Sequence, residues 1–303
     1  MQKTVIYSHP DCLLHDPGAG HPESPARLQV ILDLVDEYRE APKATDTQIL
    51  LAHSPALLEH LKKSSPQQGI AQLDADTLMS QATLDAAYRA SGAACKAVDE
   101  LMADSIQRAF CATRPPGHHA TATRAMGFCF FNHIAIAALY AQQTYKLERI
   151  AIVDFDVHHG NGTQDIVKGK NGLLYISTHQ SPFYPGSGST TENINGNILN
   201  IPLAPGTGDK EYQQIFSATA IPALQSFRPQ LLLVSAGFDA HHADPLAGLN
   251  LTTSSYQWLG EKLGKLADEY ADGKMLSILE GGYDIAALRE SYTGFIYTDP
   301  MLD

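Results

Sequence analysis

The chain has 303 residues, of which 44% are hydrophobic and 18% are charged. This balance is typical of a globular protein and excludes a disordered one. The 21 Lys and Arg residues against 33 Asp and Glu residues give a formal net charge of −12. We expect no direct nucleic-acid partner, because non-specific DNA binding needs a cationic surface. An acidic surface would instead attract a cationic substrate.

The cysteines and the first residues of the chain indicate the cellular compartment of the protein. There are four cysteines, none in a C-x-x-C pair: Cys12, Cys95, Cys111 and Cys129. A disulfide framework is not expected, so a reducing compartment is predicted. Residues 1–10 show no signal peptide, and no apolar stretch has the length of a membrane span. We expect a cytoplasmic protein with no membrane partner. Export by a route that needs no signal peptide is the alternative.

Seven short apolar runs have the length of strands. They span residues 4–8, 109–113, 150–155, 173–178, 198–203, 231–236 and 275–279. Helical patterns lie between them, over residues 24–38, 81–102, 133–143, 210–227, 254–270 and 285–295. Most runs show little polar alternation, as do strands that are buried on both faces. We predict one α/β domain over residues 1–303, a mostly parallel multi-stranded sheet with helices on both faces.

Chemically active residues follow several of these runs. The segments are RPPGHH (114–119), DFDVHHGNG (154–162), His179, GFDAHHADP (237–245) and EGGY (280–283). Ligands of open parallel sheets bind beyond the carboxyl ends of the strands. We therefore expect carboxylates, imidazoles and glycines to gather at one edge of the sheet.

Asp156 and His158 form a candidate metal pair. In an extended segment, side chains at i and i+2 point to the same side, so both can grip one ion. Asp244 is the predicted third ligand, because it follows another strand and Pro245 stiffens the turn after it. Two Asp and one His leave room for water and substrate, as in a catalytic site. Zn²⁺ and Fe²⁺ both suit these ligands. The alternative is that an Asp-x-His pair carries no function.

His118 and His119 lie on a loop that is stiffened by two prolines. Adjacent histidines on such a loop suit proton transfer beside a metal ion. Each imidazole needs a partner on its other nitrogen, and Asp154 and Asn161 are the candidates. A solvent-exposed pair and a pair of metal ligands remain alternatives.

Tyr283 ends the segment that begins at Glu280. The two glycines between them let the chain turn sharply, so the phenol can project into a cleft. There it could donate a hydrogen bond to a developing oxyanion. The alternative is a buried core tyrosine.

Taken together, these motifs resemble the histone deacetylase family. The resemblance also covers HPESPAR (21–27), GFCFFN (127–132) and FYPG (183–186) and extends over almost the whole chain. Other branches of the family carry Asp at position 161. Asn161 therefore makes the sequence similar to the class II type and its bacterial relatives. The resemblance implies the arginase/deacetylase fold and a zinc-dependent amidohydrolase that removes acetyl groups from the Nε of lysine.

The resemblance also implies roles for individual residues. Asp156, His158 and Asp244 would bind zinc. His118 would pair with Asp154, and His119 would pair with Asn161. His119 would be the main general base and acid, while zinc and Tyr283 polarise the amide carbonyl.

The remaining implied residues bind substrate or potassium. Gly127, Phe128 and Tyr184 would line a tunnel for the lysine methylenes, with Tyr184 in place of the family's usual Phe. Asp76 resembles the rim aspartate that holds the substrate backbone, although Asp74 could take that place. A structural K⁺ would use Asp154, Asp156, His158, Ser177 and Thr178. A second potassium site near residues 167–173 is left open, because Lys170 replaces a common acidic residue there.

Three rival functions remain to be weighed. A binuclear manganese ureohydrolase would need carboxylates where Gly160 and Leu246 stand. A catalytically inactive acetyl-lysine reader would lack a metal ligand or Tyr283. Deacetylation of acetylpolyamines or other small amides stays open, although Leu246 argues against one eukaryotic branch. The expected partner is an acetylated lysine side chain of a protein or peptide, or a small acetylated amine. The oligomeric state is not readable from the sequence.

Overall fold

The computed structural model describes residues 4–194 and 196–297. The strands are β1 (Val5–Ser8), β2 (Arg39–Glu40), β3 (Ile70–Gln72), β4 (Leu78–Ser80), β5 (Arg108–Cys111), β6 (Ile150–Asp154), β7 (Leu173–Gln180), β8 (Ile198–Leu203), β9 (Leu231–Ala236) and β10 (Met275–Leu279). The helices are α1 (Asp11–Leu14), α2 (Pro25–Leu32), α3 (Asp46–Ile49), α4 (Pro55–Ser64), α5 (Thr83–Met102), α6 (His133–Tyr145), α7 (Asn161–Val167), α8 (Asp209–Phe227), α9 (Thr253–Tyr270) and α10 (Ile285–Ile296), and a 3-10 turn covers Thr190–Glu192.

Eight strands form one sheet in the order β2-β1-β5-β10-β9-β6-β7-β8. All neighbouring pairs in this sheet are parallel. Every residue of β6 and of its neighbours β7 and β9 is buried. This burial explains why the strands appear as nearly uninterrupted apolar runs.

Helices cover both faces of the sheet. Along β6, Ile150 and Ile152 belong to the core under α5 and α6. The alternate residues Ala151 and Val153 belong to the core under α8, α9 and α10. The strand period of two residues thus divides β6 between two hydrophobic layers. The predicted α/β architecture is confirmed.

The seven predicted strands are all present, but the prediction missed several shorter elements. The antiparallel pair of β3 and β4 carries weak apolar patterns and lies outside the large sheet. The helix predicted over residues 24–38 ends at Leu32. Asp33, Asp36 and Glu37 follow, and acidic side chains are unfavourable at a helix carboxyl end. Among the described helices, none combines the length and the apolar character needed to span a bilayer.

Candidate active site

Strands β5, β10, β9 and β6 lie side by side, so the segments after them meet at one edge of the sheet. A pocket of about 200 Å³ opens there. Its lining residues are Asp76, Pro116, His118, His119, Gly127, Phe128, His158, Phe183, Tyr184, Leu246, Gly281 and Tyr283. The structure thus shows carboxylate, imidazole and glycine residues gathered at this edge, as predicted, together with aromatic rings.

Three buried side chains form a candidate metal centre beside this pocket. One ligand atom each from Asp156, His158 and Asp239 lies within 4.8 Å of the others. His158 Nδ1 is 3.0 Å from Asp156 Oδ1 and 3.2 Å from Asp239 Oδ2. Two carboxylates buried this closely favour a bound cation, since a buried charge needs a counter-charge.

The state of Asp239 fits a metal ligand. Its Oδ1 accepts a hydrogen bond from the Val157 amide at 2.8 Å. Its Oδ2 is buried and has no hydrogen-bond partner among the described residues. Burial and the nearby Asp156 carboxylate raise the pKa of Asp239 to about 7. A buried carboxylate oxygen beside an imidazole and a second carboxylate suits Zn²⁺ or Fe²⁺.

Asp244, the predicted third ligand, lies near this cluster and holds two backbone amides. Asp244 Oδ2 accepts a hydrogen bond from the Tyr283 amide at 2.7 Å, and its Oδ1 accepts one from the Leu246 amide at 3.0 Å. Its carboxylate is also close enough to Asp239 to help raise the pKa of that carboxyl. Asp244 stays the predicted third ligand, and Asp239 is a further candidate. Asp239 is three residues beyond the end of β9, whereas Asp244 comes after a further turn.

Gly281 is required by the close approach of the β10 end to this cluster. Its amide donates a hydrogen bond to Asp156 Oδ2 at 2.8 Å. A Cβ at this position would lie 2.6 Å from Asp156 Oδ2 and closer still to Asp239 Oδ2. Only glycine lets the backbone come this near to both carboxylates.

His118 pairs with a buried carboxylate. Its Nδ1 lies 3.0 Å from Asp154 Oδ2, and the Tyr175 hydroxyl donates to the same oxygen at 3.0 Å. Burial alone would lower the pKa of His118, but Asp154 and Asp156 outweigh it and raise that pKa well above its usual value. The structure therefore brings together the pair that the sequence suggested.

His119 pairs with a neutral amide instead. Its Nδ1 lies 2.8 Å from Asn161 Oδ1. Because an amide oxygen only accepts, Nδ1 carries the proton and Nε2 keeps its lone pair. Burial, His118 and His158 all lower the pKa of His119 well below its usual value. This tautomer leaves an unprotonated nitrogen on a side chain that lines the pocket.

Glu280 fixes the loop that carries these histidines, a role that the sequence did not reveal. Its Oε2 accepts hydrogen bonds from the Gly117 amide at 2.7 Å and the His118 amide at 3.1 Å. The Ser235 hydroxyl donates to Oε1 at 3.1 Å. Burial raises the pKa of Glu280 to about 7. Three neighbouring strand ends are thereby joined by one carboxylate.

A buried ion network lies behind Tyr283 and was also missed. The Arg27 guanidinium is 4.8 Å from the Tyr283 ring centre and donates to the Gly282 carbonyl at 2.6 Å. Glu23 accepts from Arg27 at 3.1 Å and from Arg114 at 2.6 Å. The network therefore links the Tyr283 segment to the start of the His118–His119 loop.

Aromatic rings form the walls of the pocket. The rings of Phe128 and Tyr283 are 6.0 Å apart, and those of Tyr184 and His119 are 5.1 Å apart. Asp76 Oδ1 accepts from the Gly127 amide at 3.2 Å. Of the two candidate rim aspartates, Asp76 is the one that lines the pocket.

The residues suggested for K⁺ lie behind the metal cluster on β6 and β7. Asp154 stands opposite Ser177 in the parallel register. The Ser177 hydroxyl bonds His179 Nδ1 at 2.9 Å, and the Thr178 and Tyr212 hydroxyls are 3.0 Å apart. Asp154 Oδ1 accepts from the Asp156 amide at 3.2 Å. Asp154 and Ser177 thus lie side by side in the sheet, next to the segment that carries Asp156 and His158.

Comparison with known proteins places this site in a family. The model of the histone deacetylase domain matches residues 21–298. The chain belongs to the histone deacetylase family. A histone deacetylase-like amidohydrolase of Pseudomonas aeruginosa is 38% identical over 88% of this chain and 74% of its own. A probable deacetylase of Archaeoglobus fulgidus is 36% identical over 93% of this chain and 82% of its own.

The structural comparison agrees with the family. The crystal structure of the HDA15 HD domain superimposes with a TM-score of 0.90 at 34% identity, covering 97% of this chain and 88% of that one. Some relatives are much longer, since the chain spans 20% of a type-2 histone deacetylase of Dictyostelium discoideum. Membership of this deacetylase and amidohydrolase family implies a hydrolase that acts on acetylated amides.

Proposed function

We propose that the protein is a metal-dependent amidohydrolase that removes acetyl or related acyl groups from the Nε of lysine, with Zn²⁺ as its ion and Fe²⁺ as the alternative. The observation that carries this proposal is the buried cluster of Asp156, His158 and Asp239 beside a pocket lined by His119 and Tyr283. When bound, such an ion supplies Lewis-acid chemistry. Asp244, or Asp239 from this cluster, is the proposed third ligand.

His119 is the proposed proton carrier. Asn161 holds its Nδ1–H, so Nε2 can take a proton from the attacking water and pass it to the leaving amine. His118, held by Asp154, assists through its charge. The Glu280 carboxylate holds the His118 backbone and thereby orients both rings.

Tyr283 is the proposed oxyanion donor. Its backbone amide is held by Asp244, and its ring packs between Arg27 and Phe128. A phenol in this position donates a hydrogen bond to the carbonyl oxygen as that oxygen gains charge.

The substrate class follows from the walls of the pocket. Phe128 and Tyr184 present aromatic faces that suit the methylenes of a lysine side chain. Asp76 stands at the rim, where it can hold a peptide backbone. A small acetylated amine is the second candidate, because the net charge of −12 favours cationic substrates.

Three further proposals rest on the same residues and on composition. A structural K⁺ would be held by Asp154, Ser177 and the backbone around Asp156, His158 and Thr178. The four cysteines are free and buried, which supports a cytoplasmic enzyme. The family match over most of the chain supports one catalytic domain.

A turnover panel tests the proposed function. Acetyl-lysine peptides, longer acyl-lysine peptides and acetylpolyamines would be offered to enzyme loaded with Zn²⁺ or Fe²⁺. We expect hydrolysis that requires the ion and is fastest on acyl-lysine peptides. Preferred turnover of acetylpolyamines would select the second candidate, and no hydrolysis of any of these amides would contradict the proposal.

A further inference from the structure

The aromatic wall segment, residues 181–189, carries two rings that face the pocket. It leaves β7 at Gln180 and returns to the 3-10 turn at Thr190. The Phe183 ring stacks on His158 at 5.2 Å, and the Tyr184 ring meets His119 edge-on at 5.1 Å. The width of the pocket therefore depends on what holds this segment in place.

One anchor of the segment is His159, the neighbour of His158 in the chain. His159 is 1% exposed. Its Nε2 lies 3.1 Å from Gln164 Oε1, an oxygen that can only accept, so Nε2 carries the proton. Nδ1 then accepts a hydrogen bond from the Ser187 hydroxyl at 2.8 Å. One imidazole thus joins the metal-site turn to the wall segment.

The network continues to the far end of the segment. Gln164 Oε1 also accepts from Asn200 Nδ2 at 2.7 Å, which fixes the orientation of the Gln164 amide. Gln164 Nε2 donates to Glu192 Oε2 at 2.7 Å. Glu192 Oε1 accepts from the Gly188 amide at 2.9 Å and the Ser189 amide at 3.1 Å. These hydrogen bonds form a continuous path from His159 to the end of the wall segment.

The backbone at Gly188, near the end of the wall segment, is closely packed. Gly188 has φ +87°, and a Cβ there would lie 2.5 Å from His179 Nε2 and 2.6 Å from the His159 ring. The Gly188 carbonyl accepts from His179 Nε2 at 2.9 Å. A largely buried network of hydrogen bonds of this kind favours one arrangement of the backbone.

We propose that His159, Gln164 and Glu192 are positioning residues that hold the Phe183–Tyr184 wall against the metal-site histidines and so set the affinity for substrate. This inference rests on the proposed function, because it assigns substrate binding to the pocket. The three side chains act through the wall segment and do not themselves line the pocket.

Two variants that remove single links test the proposal. Ser187→Ala deletes the hydroxyl that bonds His159. Glu192→Gln keeps the shape of the side chain but places an amide N–H against a group that now donates to Glu192, either Gln164 Nε2 or a backbone amide. Thr191→Ala is the matched control, since its exposed hydroxyl bonds only the Ser189 hydroxyl in the described structure. Ser187→Thr restores a hydroxyl and should restore wild-type behaviour.

We expect amide hydrogen exchange over residues 181–189 to rise about tenfold in Ser187→Ala and Glu192→Gln, with exchange elsewhere unchanged. KM for an acetyl-lysine peptide should rise about three- to tenfold while kcat stays within about twofold. Unchanged exchange and KM, or equal effects in Thr191→Ala, would overturn the proposal. So would a rise in exchange across the whole chain, which would mark a general structural role.

The two proposals fail in different ways. A wild-type enzyme that hydrolyses none of the panel amides would overturn the proposed function, while hydrogen exchange would still decide whether the network holds the segment. An active wild type whose variants match it in KM and exchange would overturn only the present inference.

Discussion

At the scale of single residues, the site depends on which atom of each side chain is left free by its neighbours. Asn161 occupies one nitrogen of His119, and Val157 occupies one oxygen of Asp239. His119 Nε2 and Asp239 Oδ2 are then available for proton transfer and for binding an ion. This division could not be derived from the order of residues along the chain, because it depends on backbone atoms that folding brings close.

Replacing Tyr283 by Phe should slow the chemical step. The substitution removes one hydroxyl and keeps the ring, so packing on Phe128 is preserved. An oxyanion donor contributes roughly 10²–10³ in rate, so kcat should fall by about that factor with little change in KM. Steady-state kinetics on an acetyl-lysine peptide checks this. A raised KM with unchanged kcat would make Tyr283 a binding residue instead.

His119→Ala should nearly abolish turnover with the ion still bound. A general acid and base contributes about 10²–10⁴ in rate. His118→Ala should cost less, because its proposed role is electrostatic. Metal analysis and kinetics of both variants provide the measurement. Wild-type turnover in His119→Ala would remove the proton-transfer role.

At the scale of elements, the long apolar strands were predictable and their connections were not. The run that became β6 is buried throughout, so its composition alone indicates a central strand. Glu23 and Arg114 are 91 residues apart, and no local pattern predicts that they meet. Asp239 and Asp244 follow the same strand, and the sequence does not show that the Asp239 carboxylate lies beside Asp156 and His158.

Gly281→Ala should disrupt the metal centre at the end of β10. The new Cβ would collide with the carboxylates of Asp156 and Asp239, so metal content and turnover should both fall sharply. Gly264→Ala is a matched control within α9, where the nearest atom to a Cβ is 3.8 Å away. That control should keep full activity and gain about 0.5–1 kcal/mol in stability, because alanine favours a helix interior. A fully active Gly281→Ala enzyme would contradict this account.

At the scale of the whole molecule, the acid stability of the fold should reflect buried neutral histidines. Burial lowers the pKa of His53 to about 4, and the same cause lowers the pKa of His133 to about 4. In the unfolded chain, the pKa of a histidine is about 6.5. The unfolded state therefore binds more protons below that pH, so stability is lost as the pH falls from about 6.5 towards 4.

His53→Gln should weaken this pH dependence. Between pH 7 and pH 5, one such histidine accounts for about 2 kcal/mol of lost unfolding free energy. The variant should therefore lose about 2 kcal/mol less than the wild type over this interval, as urea unfolding at both pH values would show. The exposed His60 offers the control His60→Gln, which should follow the wild type. Equal pH dependence in His53→Gln would refute the assignment.

The central claim is that Asp156 and His158, with Asp244 or Asp239 as third ligand, hold one catalytic ion, and metal analysis after exhaustive dialysis tests it most directly. The wild type should retain close to one Zn²⁺ or Fe²⁺ per chain. Asp156→Ala should retain almost no ion and lose activity, and whichever of Asp244→Ala and Asp239→Ala also loses the ion identifies the third ligand. Two tightly bound Mn²⁺ ions in the wild type, or an ion retained by Asp156→Ala and by both other variants, would contradict the account.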